Sequence, residues 1–147
     1  PNQKHEVRQL IAQMAANKAI VISTHLLEEV HAICTRAIII ARGRIVADGT
    51  PGELEARSRF HNAVSIRLSP DAAARAQAEL SRIAGVAGVE IVETTTQFVR
   101  LLVTPQNGHT ILPDVSARVR SSGLVVDEMR AEYGRLDEVF RTITTGR

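Results

Sequence analysis

Apolar positions recur along this chain with helical and strand periods in turn, and each change of period marks a new element. Val7, Leu10, Ile11 and Met14 fall at i, i+3, i+4 and i+7, which predicts a one-faced helix ending near Asn17. Four consecutive apolar residues, Ala19 to Ile22, predict a strand over 19–23 buried on both faces. A second helix follows, with Leu26, Leu27, Val30, Ile33 and Cys34 on its buried side. Ala37 to Ala41 and Ile45 to Ala47 flank Arg42-Gly43-Arg44, the pattern of a hairpin whose glycine supplies the turn. Thr50-Pro51 opens a short helix through Leu54.

Beyond Asn62 the period changes to two. Val64, Ile66 and Leu68 alternate with Ser65, Arg67 and Ser69, giving a half-buried strand that Pro70 terminates. Asp71 is placed to cap an alanine-rich helix that ends in Leu80, Ile83 and Gly85. Val89 and Ile91 belong to a second strand, and Thr95-Thr96 turns the chain into a third that carries Val99, Leu101 and Val103 on one face. A helix with Ile111, Leu112, Val115 and Val119 on one side stops at Gly123, and Leu124 to Val126 read as a fourth strand. Leu136, Val139, Phe140 and Ile143 make one last amphipathic helix.

These elements fall into two units joined near Arg57 to Asn62. Residues 60–147 read as a closed set in the order βαββαβ, the order of a ferredoxin-like α+β sandwich with both helices on one face of an antiparallel sheet, followed by the terminal helix. Residues 1–59 read as an incomplete α/β unit. A strand apolar on both faces needs a neighbour on each side and covering helices, and this part of the chain supplies neither.

Composition narrows the function classes. With 147 residues and 44% hydrophobic content the chain can bury a core as one domain or two small ones. Its longest apolar runs fall far short of the ~20 residues of a membrane-spanning helix, and no secretory signal pattern opens the sequence. A single cysteine, Cys34, excludes an internal disulfide. Residues 1–59 hold eight Lys/Arg against six Asp/Glu, and the remainder holds ten of each, so no basic face is implied. Phe60, Phe98, Phe140 and Tyr133 are too few to form a stacking platform, and a nucleic-acid partner is not expected.

The polar step Ser23-Thr24-His25 sits where the strand 19–23 must stop and the second helix begins. In open α/β sheets ligands bind at the carboxyl ends of strands, so His25 is the candidate for contacting substrate or phosphate; the alternative is a polar residue in a strand-to-helix turn. His31 and Cys34 are spaced to share a helix face, but a metal site needs roughly three or four ligands, and His5, His61 and His109 offer no supporting spacing. No metal site is expected. Glu28-Glu29 and Asp137-Glu138 are adjacent acids that point in different directions on a helix, and they read as solvated. Arg42, Arg44, Arg118 and Arg120 read as surface charge.

The run Ile22-Ser23-Thr24-His25-Leu26-Leu27-Glu28-Glu29-Val30, followed by Ile38-Ile39-Ile40-Ala41-Arg42-Gly43-Arg44-Ile45-Val46-Ala47-Asp48-Gly49-Thr50-Pro51, resembles the end of an ABC-transporter ATPase domain. The opening Pro1-Asn2-Gln3 is similar to the continuation of that family's D-loop. With the Ile33-Cys34 pair, it is similar to ATPases of gliding-motility and multidrug-type exporters. Leu136-Asp137-Glu138-Val139-Phe140 resembles the terminal motif of many exporter ATPases. Two departures stand out: Gly134-Arg135 replaces the small polar residue usual before that leucine, and Thr35 replaces an acidic residue before Arg36.

The resemblance implies a partial ABC-type ATPase domain over 1–59 and an accessory α+β domain over 60–147. It makes His25 the switch histidine that reaches the γ-phosphate, serving both catalysis and cofactor binding. ATP and magnesium are implied for the full-length protein, with a transmembrane permease and a second ATPase subunit as partners and a cytoplasmic position at the inner membrane. The run Gly-x-x-x-x-Gly-Lys-Ser/Thr, the family's signature motif and its magnesium-holding acid do not occur in these 147 residues. The chain is therefore expected to be the carboxyl-terminal part of a longer exporter ATPase and to be inactive alone. The competing expectation is a regulatory or docking module that senses a small ligand or dimerises.

Overall fold

The computed structural model describes residues 2–145, with side chains from His5 onward; the D-loop-like Pro1-Asn2-Gln3 lies outside the described side chains. In chain order the elements are α1 (Asn2–Ala15), α2 (Leu27–Ile33), β1 (Ala37–Ala41), β2 (Arg44–Gly49), α3 (Pro51–Glu55), β3 (Val64–Leu68), α4 (Ala73–Leu80), β4 (Val86–Thr94), β5 (Val99–Pro105), α5 (Leu112–Ser122), β6 (Glu128–Ala131) and α6 (Leu136–Thr145). The result is a mixed α and β protein with two antiparallel sheets. The chain divides into two compact units, residues 1–54 with 136–147, and residues 55–135.

In the first unit β1 and β2 form a hairpin closed by Arg42 and Gly43, both with positive φ (52° and 71°), the combination a two-residue hairpin turn of the primed type requires. The register slips between Ile39 and Ile40. Ile39 and Ala47 then face inward and join Leu54 and Leu136 in a small core, with Leu27, Val30 and Ile143 packed against it. Thr50 and Glu53 cap α3 reciprocally: the Thr50 N–H donates to Glu53 Oε2 at 2.8 Å, and the Glu53 N–H donates to Thr50 Oγ1 at 3.2 Å.

One expectation for this unit is corrected. Residues 19–23 form no strand. They are extended without a ladder partner among the described residues, and Val21 is 95% exposed, because the neighbouring strands that would pair them are not supplied. The terminal helix α6 groups with this unit. Its Leu136 and Ile143 complete the core around Ile39 and Leu54, giving the helix the apolar partner its stripe requires.

The second unit is a four-stranded antiparallel sheet in the order β4-β5-β3-β6. Val64, Ile66 and Leu68 of β3 and Leu101 and Val103 of β5 point to one face, where Ala76 and Leu80 of α4 and Val115 of α5 close a single core. β3 keeps its expected bounds, and Gly123 ends α5 in the left-handed conformation with φ 64°. There the Leu124 N–H returns to the Val119 carbonyl, the closing bond of a Schellman turn. That turn corrects the expected fourth strand. Leu124 is drawn into the core beside the helix end, and pairing with β3 begins only when the Asp127 N–H reaches the Arg67 carbonyl. Asp71 is corrected too: it lies within a 3-10 turn, Pro70–Ala72, and no side chain caps α4.

Candidate functional site

His25 occupies a bend between the extended segment and α2, and its side chain is exposed. The turn is held by Thr24, whose Oγ1 accepts the Leu26 N–H at 3.0 Å. The helix that follows is only seven residues long and begins with Leu27, Glu28 and Glu29. No described residue hydrogen-bonds or ion-pairs with the His25 ring, so the imidazole is open to a group from elsewhere. One exposed imidazole offers two ring nitrogens for hydrogen bonding. Phosphoryl transfer requires several positioned charges and donors.

The other candidates disperse. His31 is exposed on α2, and Cys34 is a half-buried free thiol. Among the described residues no group of three or more His, Cys, Asp or Glu is gathered as metal ligands would be. Arg36, beside the departure at Thr35, has a partner across the hairpin. Its Nε and Nη2 each donate to the Asp48 carboxylate at 2.8 Å. Hydrogen bonding by Arg36 holds the Asp48 carboxyl below its ordinary range, and the same bond raises Arg36.

Two arrangements in the second unit were not foreseen from the sequence. On the sheet face away from the helices, Arg67 and Arg100 stand opposite each other in the ladder, and both lie over the Phe98 ring at 5.4 and 5.8 Å. Arg100 contacts Glu93 at 3.1 Å and Glu128 at 3.8 Å, and Arg130 contacts Glu132 at 3.2 Å. Three arginines thus meet three glutamates, and the face is balanced rather than an anion clamp. The alternation of Ser65 and Arg67 was the available signal, but cross-strand pairing is needed to see the cluster. The second arrangement is an open groove of about 340 Å³ bordered by Arg57, Ser58, Thr104 and Asn107.

The class of protein to which this chain is similar is that of ABC-transporter ATP-binding proteins, and the similarity supports the ABC ATPase family. In particular, the chain is 31% identical over 147 residues to the daunorubicin/doxorubicin resistance ATP-binding protein of Streptomyces peucetius, an alignment covering 98% of this chain and 42% of that protein. It is 25% identical over 134 residues to ATP-binding cassette sub-family A member 7 of Rattus norvegicus, covering 89% of this chain and 6% of that protein. Against ABC transporter A family member 11 of Dictyostelium discoideum it is 30% identical over 71 residues, 48% of this chain and 8% of that protein. The chain therefore spans less than half the length of these relatives. No family model matches it. Among the described residues no helix is long and apolar enough to cross a membrane.

Proposed function

We propose that this chain is the carboxyl-terminal portion of an ABC-transporter ATP-binding protein that couples ATP hydrolysis to export across a membrane. The observation that carries the reading is the alignment with a resistance ATP-binding protein, which runs through both units and 98% of the chain. Exposed apolar side chains in the first unit support it. Ile38, Ile40 and Ile45 on the outer face of the hairpin and Leu10 on α1 are all more than half exposed, as expected of part of a larger core. In this reading residues 1–59 end the ATPase domain, and residues 60–147 are an accessory region with a ferredoxin-like sandwich, for which the strand order β4-β5-β3-β6 is the support.

His25 is the residue assigned to the γ-phosphate of ATP bound with magnesium in the full-length protein. The phosphate cradle would come from another part of that polypeptide, so the isolated chain neither binds nor hydrolyses ATP. The full-length protein pairs with a second ATPase subunit and a transmembrane permease, which holds it at the cytoplasmic side of the inner membrane. A neutral imidazole donating one hydrogen bond acts mainly in the transition state. In the full-length protein His25→Ala should therefore lower turnover by roughly 10²-fold with little change in nucleotide affinity. Steady-state ATPase kinetics beside His31→Ala provide the test, and equal small effects from both would return His25 to a turn residue.

The groove beside Arg57 and Thr104 favours one alternative, a module that senses a small ligand. A screen of small carboxylates and nucleotides by thermal shift separates the readings, since a sensor's melting temperature rises with its ligand.

A further inference from the structure

The chain passes between its two units at residues 54/55 and 135/136, and just inside those points it is drawn together. A Cβ placed on Gly134 would collide with the backbone carbonyl of Glu55. Gly134 has no positive φ, so close backbone approach alone excludes a side chain here. The next residue, Arg135, carries its guanidinium 4.3 Å from the centre of the Phe60 ring, and Arg59 lies 4.8 Å from the same ring. Between them the Glu132 N–H donates to the Ala63 carbonyl at 2.7 Å, extending the β3–β6 ladder past its last pair, Val64 and Ala131. The Glu132 carboxylate lies 4.0 Å from Arg135 and 3.2 Å from Arg130.

We propose that Gly134, Arg135 and Phe60 form a neck clasp that ties together the entry and exit of the second unit. The clasp also accounts for Gly134-Arg135 where the exporter motif has a small polar residue: any side chain at 134 would strike the Glu55 backbone, and the arginine supplies the stacking cation. Because it makes no use of nucleotide, this inference stands apart from the ATPase reading.

The experiment is amide hydrogen exchange on the full chain and three variants. Gly134→Ala should raise exchange roughly tenfold across residues 55–63 and 132–135, while β3 and β5 keep their protection. Phe60→Leu should give a smaller rise in the same segments. Gly52→Ala is the control, because a Cβ there meets nothing within 4 Å, and it should loosen none of them. If Gly134→Ala unfolds the whole chain, Phe60→Leu carries the decision. Unchanged exchange across residues 55–63 and 132–135 in both variants would overturn the clasp.

Discussion

The first unit carries the residue with the strongest functional resemblance on the thinner core, whereas the second has the thicker core and a charge-balanced open face. Ile39, Ala47, Leu54 and Leu136 are the buried side chains of the first core, and the apolar residues of α1 and of the hairpin's outer face remain exposed. In the second unit Val64, Ile66, Leu80, Leu101, Val103 and Val115 are inaccessible to solvent within one continuous cluster. The difference lies in partners rather than in composition. A sheet of two strands encloses little apolar surface, while four strands with two helices on one face close a continuous core.

Deepening or erasing this contrast tests it. The largest stability effect is expected from Leu101→Ala, which removes a fully buried side chain from the second core and should cost roughly 2–5 kcal/mol in denaturant unfolding. Ile39→Ala should cost less, because its smaller cluster can relax. If Ile39→Ala proved the more damaging of the two, the contrast between the cores would be reversed.

A smaller effect is expected at the reciprocal cap of α3. Thr50→Ala removes an oxygen that accepts the Glu53 N–H and should lower stability by about 1 kcal/mol, read as a shift in thermal midpoint. Thr50→Ser, which keeps the acceptor, should recover most of it.

The smallest effect belongs to the exposed pair of Arg36 and Asp48. The Asp48 carboxyl is held below its ordinary range, so its contribution is complete above that range and is lost as the pH falls through the lowered folded value; Arg36 stays charged throughout. Asp48→Asn should flatten the acid limb of the pH–stability curve slightly, and added salt should shrink the difference. An acid limb identical to the parent's at low salt would show that the bidentate geometry contributes nothing.

The elements whose partners lie close in sequence were legible from the amino acids. β3 carries its own alternation and a terminating proline, Arg42-Gly43 supplies the backbone a two-residue turn demands, and Gly123 ends α5 by its left-handed φ. The segment 19–23 has an equally strong apolar pattern yet forms no strand, because a strand exists only through hydrogen bonds to a neighbour. His25 was legible in the same limited sense. Its position at the end of an apolar run is a sequence property, but no described residue hydrogen-bonds or ion-pairs with its ring.

By itself, the amino-acid sequence determined the periods, the hairpin turn and the order of the elements in the second unit, since these follow from side-chain spacing and from the few residues able to adopt special backbone angles. Only the tertiary structure decided that α6 completes the first core, that the fourth strand begins at Glu128, that Arg67 and Arg100 share the Phe98 ring, and that Gly134 lies against Glu55. Each of these depends on which distant surfaces meet. A local pattern shows that a helix has an apolar stripe or that a glycine stands before a leucine; the surface that fills the stripe, or the backbone that excludes a Cβ, comes from residues dozens of positions away.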